Sequence, residues 1–428
     1  MKRESVSKLL AGVVALVGIG AGAASAAEAA GEKLAKGDYV AVIGDSITEQ
    51  KQYSVLIEDY LLMCKPAHDL SVTQFGWGGE TAPGFAGRMK NDMIPFGATV
   101  ATCNFGMNDG AYSPQEPSKA KRYHDGYTSV VEQLKAGGVR FIVVGSPGCV
   151  DSFTFRHEPP LAEMYNKTLA SERDIARQVA AEQHVAFADV FDPMVKAMEE
   201  AKAKYGKEYP LAGGDGVHPG PNGHLVMAYA YLKGLGCDGH IGTITVELAA
   251  GKATASEGHK ILSDANGVIE VESHRYPFCF FGDPKSPEAT TGVIEFIPFN
   301  QELNRFELVV SDAAPAKHYK VTWGKECKSF TGAELAKGIN LAAEFLKSPF
   351  AEAFLKVDQK VKEQQNFETP LVKQLIHDLP AYEKLVPEEK EVFAKLTPAL
   401  IAKDKPLREA SAAEVKPVTH TIKVEVEK

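Results

Sequence analysis

Cysteine is scarce in this chain and scattered along it. The six thiols, at positions 64, 103, 149, 237, 279 and 327, form no C-x-x-C pair, which argues against the usual structural zinc motifs. Cys103 falls inside the apolar run Thr99 to Phe105 and is expected to be a buried thiol. In an oxidising compartment the six could also pair as disulfides, and the sequence leaves the pairing open. Excess positive charge is missing as well. The formal net charge is −9, which argues on electrostatic grounds against nucleic acid and anionic membrane surfaces as partners. Long apolar runs are lacking. The run Leu9 to Ile19 is too short and too rich in glycine to favour a spanning helix, and no other stretch reaches membrane length. There is no internal repeat.

What is present begins with a leader. Lys2, Arg3 and Lys8 precede the apolar run, and Ala24-Ser25-Ala26 follows it. A basic start, a short apolar core and an A-x-A site describe a secretory signal peptide over residues 1–26. The expectation is an exported protein, periplasmic or extracellular, whose mature chain carries a charge near −11. The length of 428 residues allows two domains.

From residue 38 onward, short β-branched runs at 39–43, 71–75, 99–105, 139–145 and 185–191 alternate with helical patterns. These lie at about 50–64, 82–94, 118–136, 160–183, 193–205 and 221–235. Such alternation predicts an α/β domain over 38–237: a three-layer α/β/α arrangement around a five-stranded parallel sheet. Near 237–242 the pattern changes. Residues 241–330 alternate and are turn-rich, predicting a smaller β-rich accessory domain. Residues 331–402 read as a helical segment, with one stripe at Leu335, Ile339, Ala342, Ala343 and Leu346 and another at Leu371, Leu375 and Leu379. Residues 403–417, rich in Lys, Glu, Ala and Pro, read as an exposed linker. Residues 418–428 alternate like a strand that returns to the β-rich part.

The loops after the predicted sheet strands hold the unusual residues. Gly44-Asp45-Ser46 ends the first, and by itself this pair would only cap the following helix. Gly76-Trp77-Gly78-Gly79-Glu80-Thr81 follows the second, and Gly106-Met107-Asn108-Asp109-Gly110 the third. The long loop from Ser146 to Pro160 follows the fourth, and Asp215-Gly216-Val217-His218-Pro219 comes past the fifth. In a parallel sheet these loops gather at the carboxyl edge, where open α/β folds bind their ligands. A serine hydroxyl needs a neighbouring base, usually histidine oriented by a carboxylate. Asp215 and His218, three residues apart, can present both groups on one side of a single turn. Acyl transfer also needs donors for the developing oxyanion, and the N–H of Ser46, an N–H in the Gly78-Gly79 turn and the Asn108 amide are available. Trp77, Tyr112, Phe153 and Arg156 lie on the same loops and are candidates to line a substrate pocket. The remaining histidines, among them His124, His157, His184, His224 and His240, show no metal-ligand spacing.

In order and spacing, Gly44-Asp45-Ser46, Gly79 within Gly-Gly-Glu-Thr, Gly106-Met107-Asn108-Asp109 and Asp215-Gly216-Val217-His218-Pro219 resemble the four blocks of the SGNH (GDSL-type) hydrolases. The resemblance covers roughly residues 38–236. It implies an ester hydrolase with Ser46 as nucleophile, His218 as general base and acid, and Asp215 as its orienter. Ser46, Gly79 and Asn108 would form the oxyanion hole, and no metal or organic cofactor would be needed. The sequence departs from commoner members at Thr48 and at Gln74/Phe75, neither of which is a reacting group. There is no G-x-S-x-G elbow at Ser46, and Asp and His share one loop, which sets the chain apart from the α/β-hydrolase esterases. The expected substrates are short-chain or carbohydrate O-acyl esters, small molecules or polysaccharides. The alternatives are an O-acyltransferase using the same site and a non-catalytic polysaccharide-binding or cell-surface protein.

Overall fold

The computed structural model describes residues 34–265 and 267–427; the expected signal peptide lies outside them. Five strands, β1 (Tyr39–Gly44), β2 (Ser71–Gly76), β3 (Val100–Asn104), β4 (Phe141–Gly145) and β5 (Ala186–Ala188), form one sheet. Their order is β2-β1-β3-β4-β5 and every pairing is parallel. Alternation along the strands feeds two cores, one on each face. Val40, Val42, Val72 and Val143 pack with Tyr53, Ile57 and Leu225, while Ala41, Ile43, Phe75 and Val144 pack with Phe85, Met89 and Val130. The covering helices are α1 (Ser46–Glu49), α2 (Tyr53–Asp59), α3 (Ala82–Asp92), α4 (Pro117–Ala136), α5 (Pro159–Glu182), α6 (Phe191–Tyr205) and α7 (Pro221–Gly234). The predicted three-layer α/β/α architecture is present. The fifth strand is shorter than the sequence pattern implied. Ser146 Oγ accepts the N–H groups of Val190 and Phe191 at 2.9 and 3.0 Å, which turns the chain out of the sheet and into α6.

Because β1 pairs with β2 on one side and β3 on the other, the strand order reverses beside β1. That is the switch point at which open α/β sheets leave a crevice beyond their carboxyl ends. Ser46 and Asn108 follow the two strands that flank it.

Beyond residue 240 the chain builds two further sheets. Strands β6 (His240–Glu247), β7 (Lys252–Ala255), β10 (Arg305–Ser311) and β13 (Ile339–Asn340) form one, in the order β13-β10-β6-β7. Strands β8 (His259–Ala265), β9 (Val268–Ser273), β11 (His318–Trp323), β12 (Glu326–Thr331) and β14 (Val418–Val426) form the other, ordered β12-β11-β14-β9-β8. This β-rich part shares a core with the first sheet: Phe278, Phe299 and Trp323 belong to the same cluster as Val40 and Tyr60, and Tyr60 Oη donates to Leu303 O at 2.8 Å.

The helical stripe expected from Leu335 to Leu346 is interrupted. At Gly338 φ is +97°, a left-handed position that suits glycine, and the chain forms helix Gly332–Lys337, strand β13 and helix Leu341–Glu344.

The helix Ala351–Pro370 docks on β2, the edge strand of the parallel sheet. An edge strand presents unpaired N–H and C=O groups, and this helix supplies their partners. Glu368 Oε2 accepts from Gln74 N at 2.8 Å and Gln364 Nε2 donates to Val72 O at 3.0 Å. Glu58 of α2 accepts from Gln364 and Gln365 at 2.9 and 2.7 Å. Burial pushes the Glu58 carboxyl up to about 8 and raises that of Glu368. The expected linker at 403–417 is also structured: Lys405–Ala413 is a helix, with Asp404 and Ser411 buried. Asp404 Oδ2 accepts from Arg408 Nε at 2.7 Å and from Thr73 Oγ1 at 3.1 Å, and Arg408 reaches Ser71 Oγ at 3.0 Å. Its Ala, Glu, Lys and Arg residues are strong helix formers as well as the composition of a solvated connector.

Glu172 on α5 is buried and neither of its carboxyl oxygens has a hydrogen-bond partner. Burial, with the nearby Asp109 adding to it, pushes the group up to about 9. The unfolded chain ionises this acid at a lower pH, so the folded state loses stability as pH rises toward the folded value. Glu172→Gln removes that penalty. The melting temperature of the variant should match wild type near pH 5 and exceed it by about 3–6 °C at pH 9, measured by calorimetry across that range; a constant difference would contradict the assignment.

Candidate active site

The β1–α1 turn is tight because two glycines permit it. A Cβ on Gly44 would stand 2.1 Å from Thr48 Oγ1, and one on Gly76 would stand 2.2 Å from Glu49 N. With neither present, α1 lies directly against the ends of β1 and β2. Asp45 caps it, Oδ1 accepting from Ile47 N at 2.9 Å. Ser46 is therefore the first helical residue, and its own N–H has no partner within the helix. The cap expected for an Asp-Ser pair and a presented serine are both features of this turn.

Ser46 Oγ lies 2.8 Å from His218 Nε2, and His218 Nδ1 lies 2.7 Å from Asp215 Oδ2. The other oxygen of Asp215 accepts from Val217 N and His218 N, each at 2.9 Å. Partial burial works to raise Asp215, but the His218 N–H and ring and the Val217 N–H outweigh it and hold the carboxyl below its ordinary range. An anionic Asp215 fixes the proton on Nδ1 and leaves Nε2 as the acceptor facing the serine, an arrangement that can withdraw a proton from an alcohol.

Gly79 is in a left-handed conformation, with φ +77° and open space where a side chain would be. The turn around it closes through Glu80 N to Trp77 O at 3.1 Å. Asn108 Nδ2 donates to Glu80 O at 3.0 Å and approaches Asp45 Oδ2 at 3.3 Å; the longer contact is the weaker and more readily exchanged. Asp109 joins the two loops by accepting from Ala82 N and Gly106 N, both at 3.1 Å. Burial pushes Asp45 up to about 7 and Asp109 up to about 6.

The expected pocket residues divide. Tyr112 Oη reaches Asn108 Oδ1 at 3.4 Å, and its ring stacks on Phe155 and Tyr165 with Arg156 5.4 Å above it. Ala111, Tyr112, Arg156 and His157 all have φ between 50° and 53°, a strained region for residues other than glycine that concentrates at functional sites. Phe153 is not part of this group. It lies against Lys202 and Lys207 at 6.0 and 5.1 Å, beside the salt bridge from Lys202 to buried Asp151. Trp77 is enclosed by Arg88 at 4.5 Å, Lys373 at 4.8 Å and His377 at 4.7 Å. His224 is buried, accepts from Tyr53 N at 3.3 Å and is held neutral by burial, which lowers it to about 3. The six cysteines are free thiols, all buried except Cys327. Among the described residues no cluster of three His, Cys, Asp or Glu side chains could hold a metal, and no helix is long and apolar enough to cross a membrane.

Sequence reasoning missed Glu49, Lys373 and His377. Glu49 carried a local signal, an acidic residue three positions after Ser46 in the same helical turn. The other two carried none, since Lys373 is 324 residues from Glu49.

A serine, a histidine and an aspartate thus meet in one hydrogen-bonded line at the carboxyl edge of a five-stranded parallel sheet. Residues 42–226 match the model of the GDSL-like lipase/acylhydrolase family. The chain thus carries an SGNH (GDSL-type) hydrolase domain, and the protein is a carboxylic ester hydrolase. Among solved structures, it is similar to BT4096, a gut microbial diltiazem-metabolizing enzyme, at 22% identity and TM-score 0.70, covering 92% of this chain and 98% of that one. That likeness shows that the fold, C-terminal part included, recurs. Similarity to Axe2, an acetylxylan esterase from Geobacillus stearothermophilus, extends over 48% of this chain and 97% of that one, at 21% identity and TM-score 0.39. LAE5, an alpha/beta hydrolase from the metagenome of Lake Arreo, Spain, gives 22%, the same coverages and TM-score 0.39. None of the curated proteins compared with the chain matches it.

Asp215→Asn preserves an oxygen for the Val217 and His218 N–H groups while removing the charge that fixes the imidazole. The variant should keep its melting temperature and lose roughly 10²–10⁴-fold in kcat, read with a short-chain nitrophenyl ester; full activity would show that the carboxylate does not orient His218.

Proposed function

We propose that the protein is an exported serine esterase acting through an acyl-enzyme on short-chain or carbohydrate O-acyl esters. The observation that carries the reading is the continuous hydrogen-bonded line from Ser46 Oγ through His218 to Asp215, at 2.8 and 2.7 Å. Ser46 Oγ attacks the ester carbonyl as His218 Nε2 takes its proton, and Asp215 stabilises the resulting imidazolium. The N–H groups of Ser46 and Gly79 and the Asn108 amide receive the negative charge that develops on the carbonyl oxygen. Collapse of the tetrahedral intermediate breaks the bond to the alcohol oxygen, which leaves with the proton from His218. Water then attacks the acyl-Ser46 as His218 Nε2 takes its proton, and collapse of the second tetrahedral intermediate breaks the bond to Ser46 Oγ, which receives that proton from His218 as the carboxylic acid is released.

The groups around Ser46 support a small or sugar-borne acyl ester. Gly79 is exposed, Tyr112 places its hydroxyl 3.4 Å from Asn108 Oδ1 and Arg156 stands over the Tyr112 ring, polar groups that suit a hydroxylated alcohol portion better than a long apolar chain. The N-terminal pattern at Lys2 to Ala26 supports export.

Activity on nitrophenyl esters of increasing chain length and on acetylated polysaccharides should be highest for acetyl or other short acyl groups. Ser46→Ala should reduce it to the residue contributed by the oxyanion hole and binding, on the order of 10³-fold over water. Unchanged activity in that variant would overturn the mechanism, and acyl transfer to an added sugar faster than hydrolysis would make the protein an O-acyltransferase.

A further inference from the structure

The loop that carries Gly79 is poorly equipped to hold itself. It has three glycines in the four positions from Gly76 to Gly79, and Gly78 and Gly79 are exposed. Its grip comes from elsewhere. Gly78 N donates to Glu49 Oε2 at 2.6 Å, and Glu49 Oε1 accepts from Lys373 Nζ at 2.6 Å. Lys373 also stands over the Trp77 indole. One ammonium group thus reaches the loop twice, once through Glu49 to the Gly78 amide and once directly on the residue before it.

We infer that Lys373 is a positioning residue of the oxyanion hole, so that the catalytic site is completed by the C-terminal helical part of the chain. This rests on the reading of Gly79 N–H as an oxyanion donor. The side chains of Lys373 and Glu49 are 24% and 25% exposed, which leaves their attraction less screened than that of a surface pair. The ion pair selects one rotamer of Glu49, and that rotamer presents an anionic acceptor to Gly78 N, a charge-assisted bond stronger than a neutral one. The Gly78 amide then has one orientation. With φ of Gly79 at +77° and the turn closed from Glu80 N to Trp77 O, the Gly79 N–H follows from it. Without Lys373, Glu49 is free to turn to water, and a loop of glycines can rotate its peptide planes at little energetic expense.

The sequence builds this contact through an irregular helix. Pro370 ends the helix Ala351–Pro370, and Leu371–Ile376 continues as a π-helix, a form rare in proteins and frequent at functional sites. The wider turn changes which residues face inward: Leu371, Val372 and Ile376 are buried, while Leu375, one turn after Leu371 in a regular helix, is exposed. Lys373 and His377 then both meet Trp77. The segment is pinned to α3 by Asn91 Nδ2 donating to Ile376 O at 3.0 Å and by His377 Nδ1 at 2.8 Å from buried Asp92. Asp92 binds Arg88 at 3.1 Å, and Arg88 binds Glu80 at 2.5 Å, so the far end of the glycine loop is tied to the same segment.

The test uses the full chain with Lys373→Met, which keeps the apolar stem, and Lys373→Arg, which keeps the charge. With nitrophenyl acetate, Lys373→Met should lower kcat about 5- to 30-fold, a fraction of the loss from deleting an oxyanion donor outright, with KM within about twofold. Labelling of Ser46 by a fluorophosphonate should slow by a similar factor, amide exchange in the peptide covering residues 76–81 should quicken, and Lys373→Arg should recover at least about half of kcat. Glu49→Gln provides a second variant, and the double variant with Lys373→Met should be no slower than Lys373→Met alone. A kcat within twofold of wild type in correctly folded Lys373→Met, or unchanged exchange at residues 76–81, overturns the proposal. Failure of the underlying reading looks different: wild type itself would neither hydrolyse the ester nor take the label, while the exchange measurement would still decide whether Lys373 holds the loop.

Discussion

Helix α1 touches the ends of β1 and β2 at a distance that only unsubstituted backbone allows. Gly44 and Gly76 stand where any Cβ would overlap Thr48 or Glu49, and the consequences spread from that contact. It places Ser46 just beyond the sheet, at the point where the strand order reverses. It turns the cap, Asp45, inward to meet Asn108 from the loop after the neighbouring strand. It also brings Glu49 to the loop after β2, so that one short helix supplies both the hydroxyl facing His218 and the acceptor that fixes the amide of Gly78. A wider separation would dissolve all three relations together, because four helical residues have no independent stability.

The parts that could be read from the sequence are those whose chemistry is local. Gly-Asp-Ser, Asn108-Asp109 and Asp215 with His218 are short blocks, each carried by one turn, and the alternation of strands and helices was enough to bring the turns to one edge. The pairing of Asp215 with His218 needed only their spacing. What the sequence concealed depends on contacts between distant parts of the chain. The stretch at 403–417 has the composition of a solvated linker, yet Arg408 and Asp404 seat it on β2. Leu375 shares the spacing of Leu371 and Leu379 but is exposed, because the π-helix shifts the phase of the stripe. Phe153 sits on an active-edge loop, but the loop folds it toward the lysines of α6 and beyond. Lys373 could not have been found from pattern at all, since nothing in its neighbours marks it as the partner of a glutamate in α1.

The C-terminal part is therefore more than an appended unit. It covers the exposed edge of the parallel sheet with Glu368 and Gln364, shares a hydrophobic core through Tyr60 and Phe278, and reaches the active edge through Trp77. Three separate kinds of contact, backbone satisfaction, apolar packing and ion pairing, act along the same flank. The similarity of fold to BT4096 over 92% of the chain fits a unit whose two parts are retained together.

Strand β14 pairs with β9 on one side and β11 on the other, although it follows them by roughly a hundred residues or more. In chain order β9 and β11 come well before the strand that joins them. Until residues 418–426 arrive, each presents an open edge. The helices at 351–370 and 405–413 lie between β11 and β14 and both meet β2, so the chain passes the edge of the parallel sheet before it returns to close the β-rich one. The β-rich sheet is therefore continuous only through residues 418–426, and a chain in which they are out of place has two open strand edges where another chain could intrude.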